Sequence, residues 1–241
     1  MKGFVDLHCH YLPSVDDGVS STEEGVELVK NLKSIGYDVA VATPHIRTAM
    51  FPNHPSGLRK AFQQFVHETS TEERLPELGL GAEHYFDDRF WELFLTEGPL
   101  AYPGGHAALV EFSTESIPMQ IEHRFFEMNV RGIRPVLAHP ERYRALFRDS
   151  KALQPSLEVG VLPLLDLMSL VGKYGRRPRK AAERMLDEGL YYAACSDTHR
   201  PRDVELVQKA IQLVHKRWGE ETVLTLLIDH PRRILEGDFD D

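Results

Sequence analysis

Short apolar runs of strand length alternate with segments whose apolar residues recur at helical spacing, from one end of the chain to the other. A short apolar run at 4–7 has the length and composition of a buried strand. The segment 21–35 that follows repeats apolar residues at helical spacing. Ser21 and Glu24 have the spacing of a capping box, and Gly36 stands where a helix usually stops. The pattern therefore predicts a strand followed by an amphipathic helix.

The same alternation continues through the rest of the sequence. Further strands are predicted at 39–42, 78–83, 107–112, 134–138, 161–165 and 191–195. Further helices are predicted at 56–68, 86–97, 119–130, 179–188, 204–216 and 221–228. Strands separated by helices pair in parallel through right-handed crossovers, so the expected fold class is α/β.

The number of strands and the length of the chain narrow the architecture. Seven strand–helix units in 241 residues suit a distorted seven-stranded (β/α)7 TIM-like barrel, and an open doubly wound sheet is the alternative. The sixth strand is the weakest prediction, because Pro163 interrupts it. No linker, repeat or low-complexity segment divides the sequence, so residues 1–241 are predicted to form a single domain.

Composition and charge argue against several classes of protein. The formal net charge is −9, whereas a general nucleic-acid binder is usually basic because phosphate contacts supply its affinity. No apolar stretch is long enough to span a bilayer, and the first residues do not resemble a signal peptide. The two cysteines, Cys9 and Cys195, are expected to be small buried thiols in a reducing compartment. We therefore expect a cytoplasmic protein without nucleic-acid binding or membrane insertion.

Histidine and acidic residues follow the predicted strands at their carboxyl ends, where active sites of parallel β/α folds lie. They are His8, His10, His45, Glu83, Glu111, His139, Asp197 and His199. The imidazoles of His8 and His10 point the same way along an extended chain, so both can bind one ion. Mixed imidazole and carboxylate ligands suit zinc, manganese or iron, and a carboxylate such as Glu83 can bridge two cations. The sequence therefore predicts a metal cluster.

Several short motifs resemble those of the PHP (polymerase and histidinol phosphatase) superfamily, in the same order along the chain. They are Asp6-Leu7-His8-Cys9-His10, Asp16-Asp17-Gly18, Thr43-Pro44-His45, Gly81-Ala82-Glu83, Ala138-His139-Pro140 and Ser196-Asp197-Thr198-His199. Two further motifs resemble the bacterial capsule-type (CpsB-like) protein tyrosine phosphatases of that superfamily. These are Val110-Glu111-Phe112-Ser113 and His139-Pro140-Glu141-Arg142-Tyr143. The resemblance covers nearly the whole chain.

The resemblance implies about three divalent metal ions (Mn, Fe or Zn) and assigns their ligands. The first ion would be held by His8, His10, Glu83 and Asp197, the second by Glu83, Glu111 and His139, and the third by Asp17, His45 and His199. Asp17 is preferred to Asp16 for the third ion, because it directly precedes Gly18. Asp16 and Asp6 are expected to stand behind the ligands, and Asp6 would have a structural role or orient a histidine by accepting its other N–H.

The resemblance also implies a reaction and a substrate. A metal-dependent protein-tyrosine phosphatase would hydrolyse phosphotyrosine by a metal-bound hydroxide, on a protein such as a bacterial tyrosine autokinase in capsule or exopolysaccharide regulation. Arg142 is the first candidate for stabilising charge on the phosphate, and Arg47 is the second. Arg176 and Arg177 open a basic segment that would lie on the same face and bind substrate.

Other functions stay open on the sequence alone. A small-molecule phosphatase, for histidinol phosphate for example, would share the chemistry and differ in the pocket. An amidohydrolase-like enzyme also uses His-x-His but usually has a bridging lysine, and a proofreading exonuclease would accompany polymerase modules. A non-catalytic metal-binding module would usually have lost some ligands. The segment 166–169 is less polar than in the capsule-type branch, which concerns the substrate-facing loop more than the metal cluster.

Overall fold

The computed structural model describes residues 2–239, and these form an α/β fold with parallel sheets, as the sequence predicts. The nine strands of the described residues are β1 Phe4–Cys9, β2 Tyr37–Ala42, β3 His45–Ile46, β4 Glu77–Leu80, β5 Glu83–Tyr85, β6 Ala107–Glu111, β7 Arg134–Ala138, β8 Leu162–Asp166 and β9 Ala193–Cys195. The predicted strands all have a counterpart among them, with ends that shift by one or two residues in most cases.

Helices follow most of the strands. They are α1 Thr22–Ser34, α2 Pro55–Glu68, α3 Asp88–Thr96, α4 Ile121–Val130, α5 Gln154–Glu158, α6 Leu167–Leu170, α7 Arg176–Asp187, α8 Val204–Trp218, α9 Glu220–Leu224 and α10 His230–Glu236. Half of the capping box predicted for α1 forms, because the Ser21 hydroxyl accepts the amide N–H of Glu24. The Glu24 carboxylate accepts the amide N–H of Ser20 over 2.8 Å, where a complete box would use that of Ser21. Across residues 2–239, every helix is too short or too polar to cross a bilayer.

All strand pairs are parallel and are divided between two sheets. One sheet has the order β1-β2-β4, and the other has the order β3-β5-β6-β7-β8-β9. Backbone hydrogen bonds join the carboxyl end of β1 to the segment after β9. The amide of His10 donates to the carbonyl of Thr198 over 2.9 Å, and the amide of Asp197 donates to the carbonyl of His8 over 2.8 Å. The first and last strands therefore lie side by side.

The third strand predicted from the sequence is split in two. The amide of Gly81 still donates to Ala42 in the first sheet, over 2.8 Å, whereas the amide of Glu83 donates to Pro44 over 3.1 Å. The segment thus leaves β2 as its neighbour and joins β3 within two residues. Sequence periodicity could not show this, because β3 has only two residues. The described residues consequently contain nine short strands where seven were expected.

Two proline positions explain smaller differences. Pro163 lies inside β8 opposite Leu137, and its carbonyl still accepts the amide of Tyr192 over 3.0 Å, so the strand forms despite the missing N–H. Helix α7 begins at Arg176, three residues earlier than predicted. Pro178 therefore lies in its first turn, where a backbone N–H has no partner within the helix.

Side chains of the strands alternate between two hydrophobic clusters. In β7, Val136 and Ala138 belong to a cluster that consists mainly of strand residues, and Leu137 belongs to a larger cluster that includes the buried faces of the helices. β8 and β9 alternate in the same way. Both faces of the parallel strands are thus covered, which explains why their residues are almost all apolar and leaves the strand ends as the place for polar chemistry.

Candidate metal centre

The predicted ligands lie together at the carboxyl ends of the strands. His8 is in β1 and His10 directly follows it, while Asp197 and His199 follow β9. The remaining positions are His45 in β3, Glu83 in β5, Glu111 at the end of β6, His139 directly after β7 and Asp17 in the loop before α1. Most of these side chains are buried, whereas Asp17 is exposed. The structure therefore brings all nine predicted ligand residues to one place.

Their ligand atoms form four overlapping groups in which all atoms lie within 4.8 Å of one another. The groups are His8 with His10 and Asp197, His8 with Glu83 and His139, His45 with Glu83 and Glu111, and His10 with Asp17, His45 and His199. The implied second set, Glu83 with Glu111 and His139, is divided between two of these groups. In both, Glu83 is the shared carboxylate.

Glu83 lies at the centre of the cluster. Its Oε1 is 2.8 Å from His139 Nε2, and its Oε2 is 3.0 Å from His45 Nδ1 and 3.5 Å from His8 Nε2. The two oxygens of one carboxylate thus face different imidazoles. This arrangement suits a carboxylate that bridges two cations.

His8, His10 and Asp197 converge on one point. His8 Nε2 lies 3.3 Å from His10 Nε2 and 2.8 Å from Asp197 Oδ1, and all three side chains are buried. Two imidazole nitrogens at this separation cannot both donate to each other. A shared proton or a cation bound by both nitrogens and the carboxylate explains the geometry.

The loop after β1 separates the roles of its two aspartates. Asp17 Oδ1 lies 3.3 Å from His199 Nε2 and 3.5 Å from His45 Nε2. Asp16 instead accepts a hydrogen bond from His10 Nδ1 over 2.7 Å and from the amide of Gly18 over 2.8 Å. Asp16 therefore orients an imidazole from behind, and Asp17 faces the cluster.

Asp6 accepts hydrogen bonds from two backbone amides and a serine hydroxyl, and not from an imidazole. Its carboxylate accepts the amide N–H of His8 over 3.3 Å and both the amide and the hydroxyl of Ser196, over 2.9 and 2.5 Å. Asp6 is fully buried, and the loss of solvation raises its pKa to about 7. Asp6 thus holds β1 against the segment that carries Asp197, which differs from the expected contact with a histidine ring.

Two of the candidate ligands have unusual backbone conformations. His139 has φ of 34° and Asp197 has φ of 48°, in the left-handed region that non-glycine residues seldom occupy. His139 directly follows β7, and Asp197 is the second residue after β9. Such strain persists where the surrounding structure enforces it, and it is concentrated at functional sites.

Electrostatic interactions within the cluster favour protonated imidazoles and ionised carboxylates. Burial lowers the pKa of His10, but the Asp16 carboxylate outweighs this effect and the pKa is raised to about 10. Burial likewise opposes the charged form of His45, and the carboxylates of Glu83 and Glu111 raise its pKa to about 12. Burial raises the pKa of Glu83, yet the neighbouring imidazoles hold it well below the usual range. The carboxylates are thus strong attractors of cations.

The residues present fit divalent metal ions. Glu111 Oε1 and His45 Nδ1 are buried and lie 3.4 Å apart, and neither atom makes a well-aligned hydrogen bond within the described part of the chain, although Glu83 Oε2 lies 3.0 Å from the same nitrogen. Buried polar atoms without a partner are costly, and a cation between them would satisfy both. Nitrogen and oxygen ligands in this mixture match zinc, manganese or iron better than magnesium.

A cavity of about 480 Å³ opens over the cluster and carries cationic side chains on its wall. The Nη2 atom of Arg142 donates hydrogen bonds to both Asp166 and Asp197, and its guanidinium lies 3.8 Å from the centre of the Tyr174 ring. Burial lowers the pKa of Arg142, but the two aspartates outweigh it and raise the pKa well above the usual value. Arg142 is therefore a fixed, permanent cation beside the candidate ligands.

The other predicted arginines are further away. Arg47 stacks on Tyr85, with 4.2 Å from its guanidinium carbon to the ring centre, and does not line the cavity. Arg177 lines a neighbouring groove and Arg176 lines neither space. Their predicted contacts with substrate stay predictions.

Sequence reasoning missed three cations of the cavity wall, namely Lys173, Arg200 and Arg202. Arg200 donates to the backbone carbonyls of Asp17, Gly18 and His199, and so ties together two loops that carry candidate ligands. A signal was present for the two arginines, because Arg200 directly follows the Asp197–His199 motif and Arg202 lies two residues further on. Lys173 had none, since a lone lysine in a loop carries no information about its neighbours.

Imidazoles and carboxylates that converge at the carboxyl ends of parallel strands are typical of metal-dependent hydrolases. The chain belongs to the CpsB/CapC family of capsular polysaccharide synthesis, whose sequence profile matches residues 4–236. This confirms the resemblance found in the motifs.

Relatives and a solved structure agree with this assignment. The chain is 26% identical over 218 residues to the tyrosine-protein phosphatase YwqE of Bacillus subtilis, covering 90% of this chain and 86% of the relative. It is 29% identical over 243 residues to the tyrosine-protein phosphatase CpsB of Streptococcus pneumoniae, covering 96% and 98%. A crystal structure from the work on YwqE and CpsB, described as unique metal-dependent tyrosine phosphatases, has the same fold. Its TM-score is 0.89 at 24% identity, covering 98% of this chain and 96% of that one.

Proposed function

We propose that this protein is a metal-dependent protein-tyrosine phosphatase that hydrolyses phosphotyrosine in proteins. The observation that carries the proposal is the cluster of nine side chains beside a cationic cavity, in a chain whose relatives are named tyrosine-protein phosphatases. The cavity volume lies in the range of small-ligand sites. A single phosphorylated side chain is a ligand of suitable size and charge for it.

The ligand set would hold about three divalent ions, Mn, Fe or Zn. His8, His10, Glu83 and Asp197 would hold the first, and Glu83, Glu111 and His139 would hold the second. Asp17, His45 and His199 would hold the third. Bound divalent cations would supply an activated water and would neutralise charge on the phosphate oxygens.

Residues of the chain itself would position and neutralise the phosphate. Arg142 is held by Asp166 and Asp197, so its guanidinium keeps its place in the cavity wall when substrate enters. A fixed cation loses little freedom when it binds a phosphate oxygen and can stabilise negative charge as it develops. Asp16 would keep the imidazole of His10 oriented, and Arg200 would keep the loop of Asp17 in place.

A cysteine nucleophile does not fit this site. Both thiols of the chain are buried, and Cys9 donates to the carbonyl of Val41 while Cys195 donates to that of Leu165. Burial raises the pKa of each thiol well above its usual value, which removes the thiolate form that nucleophilic attack needs. Hydrolysis without a covalent cysteinyl intermediate is therefore the proposed route.

We further propose that the nine short strands make a distorted seven-stranded barrel. In this view β2 with β3, and β4 with β5, are each one bent strand. The bond from the amide of His10 to Thr198 supports closure between β1 and β9. A single domain over 1–241 is proposed on the same ground, with Met1, Asp240 and Asp241 outside the described residues.

We also propose a biological setting for this activity. A phosphotyrosine protein is the substrate class, and a bacterial tyrosine autokinase in capsule or exopolysaccharide regulation is the proposed partner in the cytoplasm. The family description, capsular polysaccharide synthesis, supports this setting.

The test compares three preparations of the protein purified without chelator. Their metal content would be measured by elemental analysis, and phosphate release would be assayed on a phosphotyrosine peptide and on histidinol phosphate with added manganese. His139→Asn removes an imidazole while keeping a residue that tolerates φ of 34°. His123→Ala, an exposed histidine on α4, is the matched control.

We expect metal in the wild-type protein and manganese-stimulated release from the phosphotyrosine peptide, which His139→Asn loses by at least about 100-fold. The His123→Ala variant should behave as wild type. Turnover of histidinol phosphate alone would overturn the substrate and retain the site. An absence of both metal and hydrolysis would point to a binding module.

A further inference from the structure

A second groove adjoins the cavity over the metal cluster. Its volume is about 390 Å³, and it shares Thr114, Arg142 and Tyr174 with the wall of the first cavity. On the far side it is lined by Arg144, Phe147 and Arg177, among others. We call this space the side groove. A peptide whose phosphotyrosine enters the first cavity therefore has its neighbouring residues next to the side groove.

The cations of the side groove differ in how they are compensated. Arg142 is paired with two aspartates, and Arg144 lies 2.6 Å from the carboxylate of Glu115. Arg177 is exposed, and its side chain forms no ion pair or hydrogen bond with any residue between 2 and 239. In a chain of net charge −9, Arg177 is thus an uncompensated cation on the wall of the groove.

The position of Arg177 has no evident benefit for stability. It is the second residue of α7, where the amide dipoles already create positive potential and a cation is unfavourable. The nearby Arg179 offsets such a cost by pairing with Glu183 over 2.9 Å, whereas Arg177 does not. A charge that stabilises neither the helix nor a tertiary contact is available to a ligand.

Resting on the proposed phosphatase function, we infer that the side groove binds an acidic side chain of the substrate near its phosphotyrosine, with Arg177 as the contact. A guanidinium pairs with a carboxylate through two parallel hydrogen bonds. The ring of Phe147, half-buried in the same groove, offers an apolar surface to the methylene groups of a glutamate. Because the two spaces share three wall residues, the acidic residue belongs among the positions that flank the phosphotyrosine in an extended peptide.

The experiment measures a preference between matched peptides. One series carries a glutamate at each of the positions flanking phosphotyrosine in turn, and the other series carries glutamine at the same positions. The ratio of kcat/KM between the two members of each pair is determined for the wild-type protein, Arg177→Glu and Lys180→Glu. Lys180 is exposed on the same helix, undergoes the same change of charge and does not line the groove.

The wild-type protein should prefer the glutamate peptide at one or two positions by about two- to fivefold, the size expected of an exposed ion pair. Arg177→Glu should abolish or reverse that ratio and favour a lysine at the same position, while Lys180→Glu should leave it unchanged. Added salt should shrink the preference.

Two results would overturn the inference while leaving the proposed function intact. One is equal turnover of every glutamate and glutamine pair by the wild-type protein. The other is an equal loss of preference in both variants, which would indicate a general effect of charge and no defined contact. Failure to hydrolyse any phosphotyrosine peptide would overturn the proposed function and this inference together.

Discussion

The hydroxyl of Tyr143 joins the two strand ends that present Glu111 and His139. It donates to the carbonyl of Ala138 over 3.0 Å and accepts the amide N–H of Phe112 over 3.2 Å, and the side chain is fully buried. Tyr143→Phe keeps the ring and removes both hydrogen bonds. Each of the two backbone groups would then be buried without this partner.

The expected loss follows from the cost of such groups. An unsatisfied buried donor or acceptor costs ~1–3 kcal/mol, so Tyr143→Phe should lower the free energy of unfolding by about 3 kcal/mol. Tyr37→Phe is the matched control, because the Tyr37 hydroxyl is equally buried and has no hydrogen-bond partner among residues 2–239. Its removal should change stability by less than about 0.5 kcal/mol or increase it slightly.

Urea unfolding followed by circular dichroism measures both variants under the same conditions. Tyr11→Phe adds an intermediate case, since its hydroxyl makes a single bond, to the carbonyl of Gly79 over 2.7 Å. The order of loss should be Tyr143, then Tyr11, then Tyr37. If Tyr143→Phe unfolds at the same urea concentration as Tyr37→Phe, the reasoning that these bonds hold the two strand ends together is refuted.

Two further predictions concern metal binding and the packing of a helix. Manganese at 100 times its dissociation constant should stabilise the folded protein by about 2.7 kcal/mol per site and raise Tm, a chelator should reverse the shift, and Glu83→Gln should lose most of it. A shift of equal size in Glu83→Gln would argue against a bridging role for this carboxylate. Gly25→Ala should lower Tm and cost ~1–3 kcal/mol, because a Cβ there would lie 2.5 Å from the carbonyl oxygen of Tyr11. Gly57→Ala, also in a helix but with open space around it, should raise stability by ~0.5–1 kcal/mol, and similar Tm values for the two variants would contradict this packing argument.

The fold class and the cluster of ligands were predictable because both depend on local signals. Apolar runs of strand length and helical periodicity identify the elements, and the rule that parallel strands share one active edge then unites residues far apart in sequence. His8 and Asp197 are separated by 189 positions, yet each lies within two residues of the carboxyl end of a recognisable strand. The approximate place of each ligand except Asp17, which lies in the loop before α1, therefore follows from its strand alone.

Other features depend on tertiary contacts that leave no periodic trace. The change of neighbour between β4 and β5 is decided by which carbonyl accepts the amide of Gly81, and no pattern encodes that choice. The pairing of Arg142 with Asp166 joins the short helical turn after β7 to the end of β8, and the two residues are 24 positions apart. Asp166 lies in the segment 166–169, which is less polar than in the capsule-type branch. Its role in holding the Arg142 guanidinium depends on a tertiary contact that the sequence pattern does not indicate.

The hydrogen bonds between Asp6 and Ser196 also determine how late in synthesis this part of the protein can fold. They connect residues 190 positions apart, and at a synthesis rate of ~5–20 residues per second the second partner is made roughly 10–40 s after the first. During that interval one edge of β1 has no neighbour, and its imidazoles lack the carboxylate supplied near the other end. Long-range pairing of this kind slows folding. The metal centre is therefore among the last parts of the protein to form, and a nascent chain gains its chemistry only when almost all of it has been synthesised.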